Sequence, residues 1–258
     1  MKNLLHKLPG FVFRAHPAIL MFHSIEDQPG SKLAVRPDFF EHQLHTLVSQ
    51  KYNVVSLESL VEFFRQKKKF PPKTVALTFD DGFKDNYIHA FPLLKKYRLP
   101  ATIFLVTTWI GTKEYLTWDQ IHEMEQHQID FGSHTVTHPH LPSLSEKEVF
   151  WQLSESKKIL EENLKKPSQI LCYPFGGYTL ETQRLTKEVG YTAAVSTSSD
   201  AFSPLDDLYA LRRIRISNAS MGFGAFPIQV SGYYSHIRML QKRFKFYKTQ
   251  LKQRLSVR

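Results

Sequence analysis

The chain has 258 residues, a length that suits one α/β barrel, and its aromatic content of 13% excludes disorder as the dominant state. Its single cysteine excludes a disulfide framework and a cysteine-rich zinc site. The net charge of +10 is concentrated, because residues 231–258 hold eight basic and no acidic side chains, which leaves +2 on the other 230 residues. We therefore expect no nucleic acid as a partner of the main body.

Predicted strands and helices alternate along most of the chain. Short apolar runs predict strands, and apolar residues at helical spacing predict the helices between them. In chain order these are a strand at 18–23, a helix from Pro37, a strand at 52–55, a helix capped by Ser56, a strand at 74–79, a helix at 87–97, a strand at 101–106, a helix at 118–126, a strand at 129–132, a helix opened by the Ser145 and Glu148 capping box, a strand at 169–173, a helix at 179–189 and a strand at 191–196. This alternation predicts a mainly parallel α/β sheet or barrel.

Two regions are predicted, a barrel over residues 1–230 and a basic amphipathic helix over residues 231–258. Apolar residues of the second region recur every three or four positions: Ile237, Leu240, Phe244, Tyr247, Leu251 and Leu255. Such a helix can pack on the barrel, lie on an anionic membrane surface or bind another partner. Residues 1–13 lack the unbroken apolar run of a signal peptide, so we expect the protein in the cytoplasm or on the inner membrane face.

Three clusters of residues that could take part in catalysis or metal binding follow predicted strands, where the active sites of α/β folds collect. The first is Asp80, Asp81 and Gly82. Adjacent carboxylates repel each other, so a cation or hydrogen bonds must hold them, and one can ligate a metal while the other acts as a base. The same three residues also suit an ordinary turn.

The second cluster contains His134 and His138, whose spacing lets both imidazoles meet one metal ion. A surface loop that carries histidines by chance would show the same spacing, and the chain has 12 histidines. Asp81 would complete a set of two histidines and one carboxylate, which leaves positions open for water and substrate. The third cluster runs from Cys172, read as a buried inert thiol, to Gly177. Its bent backbone can present an N–H group to an oxyanion or form a plain turn.

Three motifs in this order resemble those of the polysaccharide deacetylase family, the NodB-type domain of carbohydrate esterase family 4. They are Thr78-Phe-Asp-Asp-Gly82, Ser133-His134 with His138-Pro139, and Tyr173-Pro-Phe-Gly176. The resemblance spans most of the chain and implies a deformed (β/α) barrel, expected to be seven-stranded. It also implies a divalent metal, usually zinc, with cobalt, nickel or manganese as alternatives. The implied reaction is hydrolysis of N-acetyl groups from an amino sugar in a polysaccharide, oligosaccharide or glycolipid.

The resemblance also implies roles for residues that match these motifs. Asp80 matches the general base. Three residues match the metal ligands: Asp81, His134 and His138. Phe175 matches the position whose backbone N–H helps to hold the oxyanion, and its motif neighbours Tyr173 and Gly176 are included as candidate oxyanion or substrate residues.

The sequence departs from the family pattern at several points. Cys172 stands where the family has an Arg that orients the base, and the motif that supplies the general acid is absent. The segment around His23 resembles a branch that includes the poly-N-acetylglucosamine deacetylases, in which an early His is the general acid. Arg213 is the candidate to replace the missing Arg, with Arg212 and Arg215 as alternatives.

Aromatic side chains near the motifs could stack on a sugar ring. Phe83 and Tyr178 are the predicted ones because each lies beside a motif, whereas core packing is the default for Trp109 and Trp118. Two other functions remain open at this stage. One is a barrel that binds carbohydrate without turnover, and the other is deformylation or deacetylation of a lipid-linked sugar.

Overall fold

The computed structural model describes residues 16–68, 70–197, 207–218 and 225–234. The strands within them are β1 (Ala18–Phe22), β2 (Asn53–Val54), β3 (Thr74–Phe79), β4 (Ala101–Leu105), β5 (Ile129–Ser133), β6 (Ile170–Cys172), β7 (Ala193–Ser196), β8 (Leu211–Arg212) and β9 (Ile214–Arg215). The α-helices are α1 (Pro37–Ser49), α2 (Leu57–Arg65), α3 (Phe91–Tyr97), α4 (Trp118–Glu125), α5 (Glu146–Leu164), α6 (Leu180–Glu188) and α7 (Ala225–Gln229). The predicted alternation of strands and helices is confirmed.

The strands form a ring. Among the described residues every strand pair is parallel, in the order β8-β7-β6-β5-β4-β3-β1-β9, with β2 beside β3 off this path. β8 pairs with β7, and β9 pairs with β1 at the other edge. These two short strands are halves of one segment, 211–215, interrupted at Arg213. The segment therefore joins both edges, and the ring has seven strands when it is counted once, as the predicted deformed (β/α) barrel requires.

Apolar side chains fill both sides of the ring. On the outer side, the rings of Phe22, Phe40 and Phe79 pack with centroids 5.2–5.8 Å apart and join β1 and β3 to α1. On the inner side, Phe104 belongs to a buried cluster that also contains Leu60 and other apolar residues of α2. Apolar packing thus holds the helices against the strands, and the polar side chains of the motifs follow the strand ends.

Side-chain caps explain where several helices begin. Ser56 caps α2, and the Thr117 and Ser145 capping boxes open α4 and α5. The helix predicted at 87–97 is in two parts, because Asn86–Ala90 forms a π-helical turn ahead of α3. Pro92 lies in the first turn of α3, directly after that π-helical turn. Single π-helical turns are frequent at functional sites.

Of the predicted C-terminal helix region, residues 231–234 are described. The N–H of His16 donates to the carbonyl of Gly232 at 3.1 Å, so this short segment contacts the start of the described chain. The predicted helix over the rest of the region lies outside the described residues. Within the four described ranges, no helix combines the length and hydropathy needed to cross a membrane.

Candidate active site

Asp80 and Asp81 follow β3 directly, in a turn that only a glycine completes. The N–H of Asp80 donates to the carbonyl of Phe22 at 3.0 Å, which continues the ladder between β1 and β3. Asp81 and Gly82 then both have a φ of 73°. A Cβ atom on Gly82 would lie 2.7 Å from the Leu105 side chain, so a larger residue would be both strained and obstructed there. This tight turn lets the two adjacent carboxylates meet different partners.

Asp80 pairs with a buried guanidinium. Its Oδ1 and Oδ2 accept hydrogen bonds from Nη1 and Nη2 of Arg213 at 2.5 and 2.7 Å. Arg213 also donates to the Thr78 hydroxyl at 3.1 Å, to the Ser196 carbonyl at 3.3 Å and to the Cys172 sulfur at 3.0 Å. Arg213 is only 1% exposed, so these contacts fix its planar fork against the carboxylate.

The charge of Arg213 decides the ionisation of Asp80. Burial by itself would raise the pKa of Asp80, but the Arg213 charge and hydrogen bonds outweigh it and hold this pKa well below its usual range. His23 lies on the same carboxylate, with Nε2 3.9 Å from Oδ2 of Asp80. Burial lowers the pKa of His23, although the Asp80 charge acts in the opposite direction. The pair therefore combines an ionised carboxylate with an imidazole that titrates below its ordinary value.

The π-helical turn holds the end of β1 in place. The side-chain amide of Asn86 donates to the His23 carbonyl at 2.8 Å and to Oδ1 of Asp85 at 2.7 Å. The same Asp85 oxygen accepts from the N–H of Ile25 at 2.9 Å. Asn86 is fully buried. These contacts fix the backbone of His23 and so the position of its imidazole beside Asp80.

Asp81 meets the two histidines of the second motif. Its Oδ1 lies 3.4 Å from Nε2 of His134 and 3.4 Å from Nε2 of His138, and these two nitrogens are 3.2 Å apart. Nδ1 of His134 lies 2.8 Å from the Cys172 carbonyl, which can only accept, so Nδ1 carries the hydrogen. Burial alone would lower the pKa of His134, but the neighbouring Cys172 and Asp81 hold this pKa well above its ordinary value. Burial, and secondly the charge of His134, lowers the pKa of His138 to about 4. A ligating imidazole must be neutral, so a bound cation would take the place of the proton on Nε2 of His134.

These three atoms fit a divalent metal. Oδ1 of Asp81 is buried and accepts no hydrogen bond among the described residues, which is costly for a carboxylate oxygen that meets no cation. The ligands of a tetrahedral ion with bonds of about 2.0–2.1 Å lie about 3.3 Å from one another, and the three separations here are 3.2–3.4 Å. One carboxylate and two imidazoles are also donors that zinc accepts.

A second set of donors lies nearby but does not fit a cation. Asp80, His134 and Cys172 have donor atoms within 4.8 Å of one another. The guanidinium of Arg213 already bonds to both Asp80 and the Cys172 sulfur, so it occupies the place of a positive charge. Burial raises the pKa of the Cys172 thiol, which therefore stays protonated. This agrees with the prediction of an inert thiol.

Helix α5 holds the loop 134–138, called the histidine loop because it carries both histidines of the second motif. Oε1 of Gln152 accepts from the N–H groups of Val136 and Thr137 at 2.9 and 3.1 Å, and its amide donates to the Thr137 hydroxyl at 2.7 Å. The N–H of His138 donates to the Thr135 hydroxyl at 3.1 Å. His138 itself has a φ of 57°, a conformation uncommon outside glycine. The loop is thus held in a specific shape that directs His138 at Asp81.

The third motif leaves one N–H group free. The N–H groups of Gly176 and Gly177 donate to the carbonyls of Tyr173 and Pro174 at 2.9 and 3.1 Å. Within the described parts of the chain, the Phe175 N–H has no such partner. Phe175 has a φ of 57°, and its ring contacts His138 edge-to-face at 4.6 Å. A free N–H beside the metal ligands can donate to an oxygen that becomes negative.

Comparisons with known proteins indicate one family. The family described as polysaccharide deacetylase matches residues 67–194. YxkH of Bacillus subtilis (strain 168), which carries the same family name, is 38% identical over 210 residues, which cover 81% of this chain and 75% of YxkH. The chain belongs to the polysaccharide deacetylase family.

Two further proteins are similar to this deacetylase. The poly-beta-1,6-N-acetyl-D-glucosamine N-deacetylase of Staphylococcus aureus (strain MSSA476) is 29% identical over 193 residues, or 69% of this chain and 66% of that enzyme. The structure of Streptococcus pyogenes deacetylase PplD in complex with acetate aligns with a TM-score of 0.74 at 32% identity, covering 79% of this chain and 93% of PplD. Membership identifies the chain as a hydrolase of carbon–nitrogen bonds that deacetylates polysaccharide, which sets aside the barrel without turnover.

The structure brings most of the predicted site residues of the deacetylase to one end of the barrel. These are His23, Asp80, Asp81, His134, His138, Phe175 and Arg213. Of the three candidate arginines, Arg213 faces Asp80, whereas Arg215 is exposed. Phe83 is half-buried and stacks on Tyr115 at 5.2 Å.

Three predicted residues of the third motif region have packing contacts within the protein, and their contact with a substrate stays a prediction. The Tyr173 ring is fully buried, its hydroxyl lies 3.3 Å from that of Thr186, and its backbone N–H donates to Val195. Tyr178 stacks on this buried ring at 5.1 Å. Gly176 has a structural role, because an added Cβ would lie 2.0 Å from the Thr197 hydroxyl and its φ is 71°. Their packing shapes the loop that carries Phe175.

Sequence reasoning missed two aromatic residues of the site. Trp109, assigned by default to the core, lies 5.2 Å from the His138 ring and 4.7 Å from the Tyr115 ring. Tyr115 follows no motif, so its sequence position gives no signal. The available signal was topological, since the segment 106–117 leaves β4, the strand between the two metal-ligand strands β3 and β5.

Proposed function

We propose that this deacetylase removes acetyl groups from N-acetylated hexosamine units of a polysaccharide, oligosaccharide or glycolipid, with one divalent ion in the site. The observation that carries the proposal is the contrast between two adjacent carboxylates. Asp80 is bonded to a buried guanidinium, and Asp81 lies 3.4 Å from the Nε2 atoms of two histidines. The name of the staphylococcal relative favours a polymer of N-acetylglucosamine as the first substrate to test.

Asp81, His134 and His138 would hold the ion, with zinc as the first choice and cobalt, nickel or manganese as alternatives. When bound, the ion supplies Lewis-acid polarisation of the amide carbonyl and of the attacking water. The mixture of one carboxylate and two neutral imidazoles leaves positions free for both.

Asp80 is the group that receives the proton of the attacking water. It is ionised because Arg213 holds its pKa low, and both of its oxygens have fixed positions. The water oxygen adds to the carbonyl carbon, and the carbonyl oxygen then carries negative charge. The N–H of Phe175, which lacks a partner in the described part of the chain, donates to that oxygen.

His23 is the group that gives a proton to the departing nitrogen. The carbon–nitrogen bond breaks, acetate leaves, and the sugar nitrogen must gain a proton because an amide ion is a very poor leaving group. His23 lies 3.9 Å from Asp80, so both proton-transfer groups flank the same position. Arg213 acts through Asp80 and is a positioning residue.

The test is release of acetate from defined substrates. Zinc-loaded protein would be incubated with β-1,6-linked and β-1,4-linked N-acetylglucosamine oligomers, a lipid-linked N-acetylated sugar and an N-formylated sugar, with Asp80→Asn as the matched inactive control. We expect acetate and a free amine from the acetylated oligomers with the wild-type protein alone. Formate release without acetate would move the proposal to a deformylase, and no release from any substrate would overturn it.

A further inference from the structure

The loops that lead from helices into strands are basic throughout. They are residues 50–52, 66–73, 98–100, 126–128, 165–169 and 189–192. Because every described strand pair is parallel, the strand starts lie at one end of the barrel, and we call this end with its loops the base. In the part of the chain that the structure describes, the base loops hold seven basic and no acidic side chains: Lys51, Lys67, Lys68, Lys73, Arg98, Lys165 and Lys166.

The loops that follow the strands have a different charge balance. They are residues 23–36, 80–85, 106–117, 134–145 and 173–179. Together they hold four basic and six acidic side chains, Asp80 and Asp81 among them. The excess positive charge of the described loops is therefore at the base, and the candidate active site is at the opposite end.

The cations of the base have almost no acidic partners. Six of the seven are exposed and form no ion pair within the described ranges. Lys166 is the exception, with Nζ 2.6 Å from a Glu125 oxygen and 3.7 Å from an Asp130 oxygen. On α6, by contrast, Arg184 pairs with three glutamates. The charge of the base therefore faces solvent without compensation.

Four of the base cations end helices in an uncommon backbone conformation. They follow α1, α2, α3 and α5 within two residues and have φ values of 51–56°: Lys51, Lys67, Arg98 and Lys165. Glycine is the usual residue at such positions, because a Cβ atom is strained there. The helix dipole favours a cation at a helix C-terminus, which accounts for these four. It accounts neither for the other three cations nor for the lack of acidic partners.

The sequence before His16 and after Tyr234 is attached at the base. His16 lies two residues before β1, and its N–H donates to the Gly232 carbonyl at 3.1 Å. Residues 1–15 and 235–258 together hold eleven basic and no acidic side chains. With the seven of the base they make 18 of the 34 basic side chains, and the rest of the chain has 16 basic against 24 acidic ones. The net positive charge thus belongs to the base and to the sequence attached to it.

An anionic lipid surface fits this combination better than a soluble polyanion does. Basic groups bind to either, but apolar side chains gain free energy only where they leave water. Residues 235–258 have apolar side chains at helical spacing, and the base itself exposes Val48 at the C-terminal end of α1 and part of Phe70. Basic and apolar groups together are the composition that binds to the interface of an anionic bilayer.

We infer that the base is a docking surface for an anionic lipid bilayer and holds the candidate active site away from the membrane. The six residues of β3 span about 20 Å, at about 3.3 Å per residue, and Asp80 follows them directly. A protein docked in this way presents its site to sugar chains in the aqueous phase instead of to sugars on the lipids beneath it. The inference goes beyond the proposed function and does not rest on it, because binding to a bilayer needs no turnover.

Co-sedimentation of the full chain with vesicles of phosphatidylcholine and phosphatidylglycerol tests the surface. We expect Lys51→Gln/Lys67→Gln/Lys68→Gln to weaken binding about 10- to 100-fold, because each basic residue near an anionic surface contributes about fivefold. Binding of the wild type should fall as salt rises and be absent with pure phosphatidylcholine.

The matched control removes the same charge from the opposite end of the barrel. Lys32→Gln/Lys84→Gln/Lys113→Gln lies in the loops that follow strands, and this variant should bind like the wild type. Equal weakening by the two triple variants would show that net charge alone decides binding and would overturn the inference. Wild-type binding by the base variant would also overturn it, because the sequence outside the base would then suffice.

A fluorescent label reports the orientation. The single native cysteine, Cys172, is buried, so a thiol-reactive dye sensitive to polarity labels an introduced cysteine selectively. We expect the dye on Lys68→Cys to shift to shorter wavelength when vesicles are added, and the dye on Lys113→Cys to remain unchanged. A shift at position 113, or no shift at position 68 in protein that sediments with vesicles, would overturn the inference.

Two further measurements separate this inference from its alternatives. Wild-type protein that binds soluble polyphosphate but not the anionic vesicles would overturn the lipid assignment in favour of a soluble polyanion. Acetate release from a soluble oligomer is measured on the same preparations. Loss of vesicle binding in the base variant with unchanged acetate release supports the docking surface, whereas wild-type protein that binds vesicles but releases no acetate would refute the proposed function alone.

Discussion

Asp80 and Asp81 are neighbours in the sequence, yet the structure balances their charges in opposite ways. On the Asp80 side the chain provides its own cation, since Arg213 is buried with the carboxylate and bonded to both of its oxygens. On the Asp81 side two imidazoles converge on a carboxylate oxygen that accepts no hydrogen bond in the described structure. In the proposed function, a permanent internal cation fixes the proton acceptor, and an exchangeable external one would activate the substrate. The two functions should therefore be separable by mutation.

Loss of a metal ligand should have the largest effect. We expect His138→Ala to reduce bound zinc from about one ion per chain to a small fraction and to abolish acetate release, because two donors hold a divalent ion far more weakly than three. Elemental analysis of the purified variant measures the occupancy. His42→Ala, at an exposed histidine of α1, is the matched control and should keep the ion. Full occupancy in His138→Ala would contradict the assigned ligand set.

Asp80→Asn should remove the proton acceptor and leave the metal-binding residues unchanged. The variant keeps three ligands and so should keep its zinc, whereas the rate should fall by about 10²–10⁴-fold because an amide cannot accept the proton. Single-turnover acetate release and elemental analysis on the same preparation give both quantities. Loss of zinc together with activity would show that the two carboxylates are not independent.

Arg213→Met should destabilise the fold, since it leaves the Asp80 carboxylate buried without a cation. Breaking a buried pair in this way costs about 3–5 kcal/mol, measurable by urea unfolding at neutral pH. The double variant Asp80→Asn/Arg213→Met should recover part of that loss, because it removes the unpaired charge.

The pH dependence of this destabilisation sharpens the comparison. In the wild type the pKa of Asp80 is depressed by Arg213, so its stabilisation is present above the unfolded-state pKa and is lost only as pH falls through the lower folded value. Without Arg213, burial raises this pKa, and the folded variant gains a proton as pH falls. The stability difference between variant and wild type should therefore shrink towards acid pH, and a constant difference would refute this account.

His23→Ala should slow deacetylation by about 10²-fold, the lower end of the range for proton transfer, and spare the zinc. The wild-type rate should fall as pH rises through the His23 pKa, which burial places below its ordinary value, and the variant should lack this decline. A 4-nitrophenyl acetate substrate, whose leaving group needs no proton, should be hydrolysed at similar rates by both proteins. Wild-type kinetics on an amide would place the general acid elsewhere.

The smallest effect is expected from the C-terminal tail. Removal of residues 235–258 takes away all eight basic side chains of the region 231–258 and retains the contact between His16 and Gly232. We expect unchanged hydrolysis of a soluble oligomer and, if the tail lies on a membrane, loss of salt-sensitive binding to anionic vesicles. Co-sedimentation with vesicles measures this binding. Equal sedimentation of the full-length and truncated proteins would refute the membrane hypothesis. Membrane binding and localisation both stay predictions.

Local signals explain why most elements were predictable. The apolar runs predicted the bounds of β1, β3 and β4 to within one residue, and the Ser145 capping box predicted the start of α5. Both signals are local because burial and helix capping act over a few neighbouring residues. The proposed ligands Asp81, His134 and His138 follow from their motifs and their positions after β3 and β5. The geometry that joins them depends on the alignment of strand ends, which the alternation of elements already implied.

Other features depend on contacts between distant residues. β8 and β9 have two residues each, too few for any periodicity to show. The choice of Arg213 over Arg212 and Arg215 follows from its place in the interruption between these strands. Tyr115 lies near the two motifs because the N–H of Leu116 donates to the Gly82 carbonyl, and no local pattern encodes that contact.

The interruption at Arg213 also determines when the protein becomes competent during its synthesis. β1 is made early but receives β9 as its partner only near the end, and Asp80 waits for a guanidinium made 133 residues later. A growing chain that stops before residue 213 contains all three proposed metal ligands yet lacks the guanidinium that pairs with Asp80, and its ring of strands remains open. Because such long-range closure is slow compared with local helix formation, the nascent barrel exposes one edge of β1, whose other edge pairs with β3, until the final strand emerges. The segment that supplies the partner of Asp80 is thus also the segment that covers this edge.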